Sequence, residues 1–230
     1  MRQRRAKNLE EKVEALEAYR VDEPTAWVGR WNTLFENDGP IYLEIGCGKG
    51  QFALQQTLLH PERNYVAVEG QISVALRAME KAEEAEKRCG QRRLRIVCEF
   101  VHDLGEMFAE GELAGIYLNF SDPWPKDRHL KRRLTYRERL QSYEKALCPG
   151  GFIEVKTDND ALFDFTLAEI EACGLTITAM SNDLHAESTL SENPGEAAEK
   201  MREASMVTTE YEDKFRAQGL PIHFVRTEKK

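Results

Sequence analysis

The chain has 230 residues, 41% of them hydrophobic and 31% charged, with a formal net charge of −8. That length suits one α/β domain with a substantial core, and the acidic balance excludes a protein that coats nucleic acid with its whole surface, so a polyanion has to be met by a local patch. No apolar run approaches the ~20 residues that cross a bilayer, no apolar segment follows the basic N-terminus as a secretory signal requires, and five scattered cysteines without C-x-x-C spacing predict reduced thiols, no zinc site and a cytoplasmic location.

Residues 1–8 carry Arg2, Arg4, Arg5 and Lys7 and almost nothing apolar, which predicts a mobile basic arm. Residues 9–19 place Leu9, Val13 and Leu16 at helical spacing, and Trp27 and Trp31 lie four apart, the spacing of one helical face. Residues 1–40 therefore read as a basic arm and helical extension ahead of a main domain over 41–230. From Ile41 a strand runs into a glycine-rich turn at 46–50. Further strands are predicted at 65–69, 94–98, 116–119, 152–156, 175–180 and 222–226, with helices over 51–59, 72–88 and 131–147 and from Asn159 to Cys173. This alternation predicts an α/β, Rossmann-like fold: a mostly parallel, seven-stranded sheet with helices on both faces. The Glu, Lys and Arg mixture at 81–88 reads as a solvated helix face. Residues 186–206 predict a mobile loop with a short helix near 197–202, and Thr209 followed by Glu212 has the spacing of a capping box. His185 and His223 have no carboxylate or cysteine at ligand spacing, so neither is expected to hold a metal.

In parallel sheets ligands sit at the carboxyl ends of the strands, where Gly46 to Gly50, Glu69, Asp103, Asp122 and Asp158 all fall. The glycine turn suits a dinucleotide or S-adenosylmethionine. The dinucleotide fingerprint needs glycine at position 51, where this chain has Gln; its pattern is instead Glu44-x-Gly46-x-Gly48-x-Gly50. An acid in the strand end opposes a pyrophosphate and suits a cation, so Glu44 and Asp122 tilt the choice toward S-adenosylmethionine, with Glu69 placed for ribose hydroxyls.

The stretch Ser121-Asp122-Pro123-Trp124-Pro125-Lys126 follows an apolar run, and its prolines bias Asp122 and Trp124 toward extended backbone. From Lys126 to Arg139 seven cations face two anions. A basic block in an acidic chain, beside a fixed carboxylate and an aromatic ring, predicts a polyanion docking there. Alone, such a block is as often a solvated helix face. Trp124 reads more simply as an anchor for its loop than as a stacking platform.

With these motifs the sequence resembles the tRNA (guanine-N7-)-methyltransferases of the bacterial single-chain type. The resemblance rests on residues 44–50, on Asn119-Phe120-Ser121-Asp122-Pro123-Trp124-Pro125-Lys126 with Arg128-His129 and Lys131-Arg132-Arg133, on Lys156-Thr157-Asp158-Asn159, and on residues 209–215. It implies a class I methyltransferase fold, S-adenosylmethionine as cofactor and tRNA as partner, and a protein that is a monomer or weak homodimer. Carried onto matching positions, it implies that Glu44, Gly46, Gly48, Glu69, Asp103 and Asp122 line the cofactor site, with Asp122 also catalytic. It further implies that Lys126, Asp158, Thr209, Glu210, Tyr211 and Glu212 face the substrate base, and that Arg128, His129, Lys131, Arg132 and Arg133 contact RNA.

Overall fold

Apolar runs of β-branched and aromatic residues form strands where both faces can be covered, and most of the eight strands among the described residues are of this kind. The computed structural model describes residues 8–186 and 195–230. Two compact units divide the chain, Met1–His102 and Asp103–Lys230.

In the first unit β1 (Arg20–Val21), β2 (Ile41–Ile45), β3 (Asn64–Val68) and β4 (Leu94–Val97) lie parallel in the order β1-β4-β3-β2. Helix α1 (Leu9–Glu14) precedes them, α2 (Gln51–Leu59) joins β2 to β3, and α3 (Ile72–Cys89) joins β3 to β4. α3 buries Ala75, Leu76, Ala78, Met79, Ala82 and Ala85 on one stripe. Its other face carries the ion pairs Arg77–Glu80, Lys87–Glu83 and Arg88–Glu84, the solvated face the sequence predicts. The alanines let α2 come close: a Cβ at Gly50 would stand 2.9 Å from Ala78 Cα, and Gly50 also takes φ +78°.

The second unit holds β5 (Leu113–Asn119), β6 (Leu147–Thr157), β7 (Thr176–Ser181) and β8 (His223–Glu228) in the order β5-β6-β8-β7, with β5 and β6 parallel and the other pairings antiparallel. Its helices are α4 (Arg137–Ala146), α5 (Asp160–Cys173), α6 (Glu196–Met206) and α7 (Glu210–Arg216). Met201 and Ala204 of α6 pack with Ala179, Leu184 and Phe224 in one apolar cluster.

The α/β class is as expected, and four expectations need correction. Among the described residues there are eight strands rather than seven: β1 is two residues long, too short to leave an alternation. The helix predicted over 9–19 stops at Glu14, and a 3-10 turn covers Glu17–Tyr19. Trp27 and Trp31 do not share a helix, since they sit on separate 3-10 turns, Pro24–Trp27 and Trp31–Leu34, with Gly29 at φ +73° between them. The helix predicted over 131–147 starts only at Arg137; Asp127–Arg132 is a 3-10 segment, and Arg133 and Tyr136 are extended. The short helix expected near 197–202 is present as α6 and runs longer, Glu196–Met206, with small alanines on its buried side. Residues 187–194 of the loop expected at 186–206, and 1–7 of the basic arm, lie outside the described residues.

Candidate active site

β2 ends in Glu44 and Ile45, and the chain then turns through Gly46 (φ +81°) and Gly48 (φ +56°), backbone that an L side chain resists. Apart from the flanking residues, no heavy atom lies within 4 Å of a Cβ built on either glycine, so the constraint is the backbone angle and the space beside the turn is open. Glu69, directly after β3, closes the turn: one carboxylate oxygen accepts from Gly48 N–H at 3.2 Å and the other from Gln71 N–H at 2.8 Å. Glu44 is buried at 2% exposure. Burial pushes the Cys47 thiol well up, and the nearby carboxylates of Glu44 and Glu69 push it further. Two carboxylates bearing on one glycine turn fit a cationic, hydroxyl-bearing ligand and oppose a pyrophosphate, so these residues suit S-adenosylmethionine.

In the second unit β5 delivers Phe120 and then Asp122, whose carboxylate is exposed. Phe120 and Trp124 both adopt left-handed backbone, φ +50° and +40°. Bulky residues there are strained outliers, and such strain gathers at functional sites. The extended backbone predicted for Trp124 is therefore incorrect. Its conformation is held by Arg133, whose guanidinium donates to the carbonyls of Pro123 (2.9 Å) and Trp124 (3.3 Å) and lies 4.2 Å from the Phe165 ring centroid. Arg132 lies over the Trp124 ring at 4.9 Å and His129 meets the ring edge at 5.5 Å. The half-buried tryptophan ring thus packs against basic residues of its own loop.

Lys126, Arg128, Lys131 and Arg132 are exposed and His129 is half-buried. Arg133 is only 8% exposed, its guanidinium turned to the loop's own carbonyls, which corrects its assignment to RNA. Arg137 is likewise engaged: its backbone N–H and guanidinium both donate to the buried carboxylate of Glu169, which these bonds hold below the usual carboxylate range.

Asp158 follows β6 and is exposed; the capping bonds Asn159 N–H to Thr157 Oγ1 (3.1 Å) and Leu162 N–H to Asn159 Oδ1 (2.8 Å) fix the turn around it. Thr209 caps α7, accepting from Glu212 N–H at 3.0 Å, and Glu210 is half-buried and Tyr211 exposed on the first turn. Glu212 does not complete the capping box. It is fully buried against Lys156 and His185, so it cannot face a substrate. Asp103 precedes a 3-10 turn, where its Oδ1 accepts from Gly105 N–H (3.0 Å) and Ser142 Oγ (2.8 Å), bonds that keep its carboxyl low. These are the contacts of a turn cap. The sequence missed Lys156 and His185 as partners of Glu212, because 56 and 27 positions separate them from it.

Methyltransferases are among the solved structures that share this fold. The 16S rRNA methyltransferase KamB superposes with a TM-score of 0.60 at 12% identity, covering 87% of this chain and 93% of its own. An antibiotic-related methyltransferase gives 0.56 at 12% identity over 98% and 96%. Residues 38–225 match the family model Methyltransf_4, described as "Putative methyltransferase". The tRNA (guanine-N(7)-)-methyltransferase of Geobacillus thermodenitrificans (strain NG80-2) is 40% identical over 97% of this chain and 95% of its own. Its counterpart in Lactococcus lactis subsp. cremoris (strain MG1363) is 42% identical over 88% and 86%. The chain belongs to the tRNA (guanine-N(7)-)-methyltransferase family.

Proposed function

We propose that this protein transfers a methyl group from S-adenosylmethionine to N7 of a guanine in tRNA, giving 7-methylguanosine. The observation that carries the reading is the Asp122 loop, an exposed carboxylate between two strained aromatic residues beside four exposed cations, in a chain of this family. S-adenosylmethionine supplies an electrophilic methyl on a sulfonium. Guanine N7 has an in-plane lone pair and no proton, so no side chain has to act as a base, and alignment of the base supplies most of the rate. The methylated ring is cationic. Asp122 is the carboxylate we assign to stabilise that charge, and Asp158 accepts from the guanine N1 and N2 hydrogens.

Glu44 faces the cationic methionine end and Glu69 the ribose, while Gly46 and Gly48 give the backbone its close approach. Asp103 supports its turn. Lys126, Thr209, Glu210 and Tyr211 receive the base once it has left its stack. Arg128, His129, Lys131 and Arg132 meet phosphates.

The test is incubation with methyl-labelled S-adenosylmethionine and unmodified tRNA, followed by nuclease digestion and nucleoside chromatography, with Asp122→Asn alongside. Label in 7-methylguanosine, lost in Asp122→Asn while tRNA binding persists, is the expected result. Label in another nucleoside overturns the assignment of the base, and undiminished turnover by the variant overturns the role of Asp122.

A further inference from the structure

Lys156 is fully buried, near the end of β6, and its ammonium has four hydrogen-bond contacts. It donates to the carbonyls of Ala204 (2.6 Å) and Val207 (2.8 Å), which close the C-terminus of α6, and to both carboxylate oxygens of Glu212 on α7, each at 3.2 Å. A cation suits a helix C-terminus, where carbonyls lack intrahelical partners. The second partner of the Glu212 carboxylate is His185 Nε2 at 2.7 Å, and the backbone N–H of His185 is held by Asp183 Oδ1 at 3.2 Å. One buried pair thus joins four segments: the end of β6, the turn after β7, the last turn of α6 and the first turn of α7.

Stability alone does not account for such a pair, because apolar residues of similar volume usually hold a core as well as a buried ion pair does. Directed hydrogen bonds add fixed geometry. The backbone of Lys156 extends that geometry the other way: its carbonyl accepts from Phe120 N–H at 2.8 Å, two residues before Asp122. α7 meets the same place through its side chains, Phe215 stacking on Phe120 with centroids 6.2 Å apart and planes at 25°, and Tyr211 lying 6.2 Å from Phe215. The next residues along β6 are Thr157 and Asp158. One lysine therefore ties α7 by its side chain and the Asp122 loop by its main chain.

We infer that Lys156, acting through Glu212, is a positioning residue for the target base: it fixes Thr209, Glu210 and Tyr211 relative to Phe120 and Asp122, and has no part in holding the cofactor. The inference rests on the reading of the site as a guanine N7 methyltransferase. Asp122 and the cations present charge to the ligand, whereas this pair spends its charge inside the protein to set where the ligand's contacts stand.

Two variants test it. Glu212→Gln keeps the shape and drops the charge, and Lys156→Met with Glu212→Leu replaces the pair by apolar volume. For each, the melting temperature, the Kd for S-adenosylmethionine, and kcat and KM for tRNA are measured against wild type. The double variant is expected to melt within a few degrees of wild type. Both variants are expected to bind S-adenosylmethionine within roughly twofold of wild type while kcat/KM for tRNA falls by about tenfold or more. A double variant with wild-type kcat/KM shows that the pair serves stability only and overturns the inference. Cofactor affinity falling in step with tRNA turnover in Glu212→Gln also overturns it. Wild-type product identity is read in the same run: if the wild type forms no 7-methylguanosine, the functional reading fails and this inference fails with it, a result distinct from failure in the variants alone.

Discussion

Two regions of the second unit concentrate charge and use it in opposite ways. From Lys126 to Arg132 the cations stand in solvent on a 3-10 segment, and a pair such as Lys131–Glu138, 3.1 Å apart and exposed on both sides, adds little to stability. On β6, β8 and α7 the ionisable side chains of Glu154, Lys156, Arg226 and Glu212 are all at 9% exposure or less. A buried charge without its partner costs several kcal/mol, so these groups dictate where backbone and helices lie. The border between the two uses falls between neighbours: Arg132 is exposed and Arg133 is buried in the loop it holds. Counting a run of cations therefore measures neither RNA affinity nor stability until each guanidinium's surroundings are known.

The largest effect that sharpens this contrast is expected at the border. Arg133→Met leaves the carbonyls of Pro123 and Trp124 without their donor, and should cost roughly 3 kcal/mol in urea unfolding. Turnover should fall with the loosened loop while the salt dependence of tRNA binding keeps its slope. A slope reduced by about one in Arg133→Met would instead make the residue a phosphate contact and erase the border. The complementary change, Arg128→Ala with Arg132→Ala, should leave urea stability within about 0.5 kcal/mol of wild type. Its plot of log affinity against log salt should flatten by about 1.5, the loss of two phosphate contacts. An unaltered slope would return these cations to ordinary solvated surface.

How much of this was legible in the sequence follows the range of the interaction. Elements set by local periodicity stand where expected: α2 covers Gln51–Leu59, and α5 ends at Cys173 before Gly174. The glycine turn was legible because its constraint is carried by residue type, and Glu69 because it directly follows its strand. The capping box was half legible. Thr209 does cap α7, but a carboxylate three residues on had two possible destinations, and the long-range one, Lys156, wins. The basic helix over 131–147 failed for the same reason. Helical spacing of cations cannot show that Arg133 bonds to carbonyls nine and ten residues earlier and so keeps its own backbone extended. The partners of His185 and His223, Glu212 and Asp160, lie 27 and 63 positions away, beyond any local pattern.

The last predicted effect probes the interior by pH. Burial raises the Glu154 carboxyl from its ordinary 4.5 to about 7, against the opposing pull of Arg226, 3.8 Å away, and of Lys156. The folded state then holds a proton that the unfolded chain has already released between about pH 4.5 and 7. Stability from this group is fully present below that window and falls as pH rises through it, by an amount on the order of 3 kcal/mol. Arg226 does not need the Glu154 charge, since Glu228 lies 3.3 Å and Glu203 3.6 Å from its guanidinium and the Phe152 ring centroid stands 3.7 Å from its Cζ. Glu154→Gln keeps a neutral group at every pH, so it should melt close to wild type at pH 5 and about 10 °C above it at pH 8. Parallel melting curves for the two proteins from pH 5 to 8 would mean that Glu154 is ionised and paired with Arg226 throughout. The buried layer would then obey the same rule as Lys156 and Glu212, with every interior charge kept because its partner is fixed.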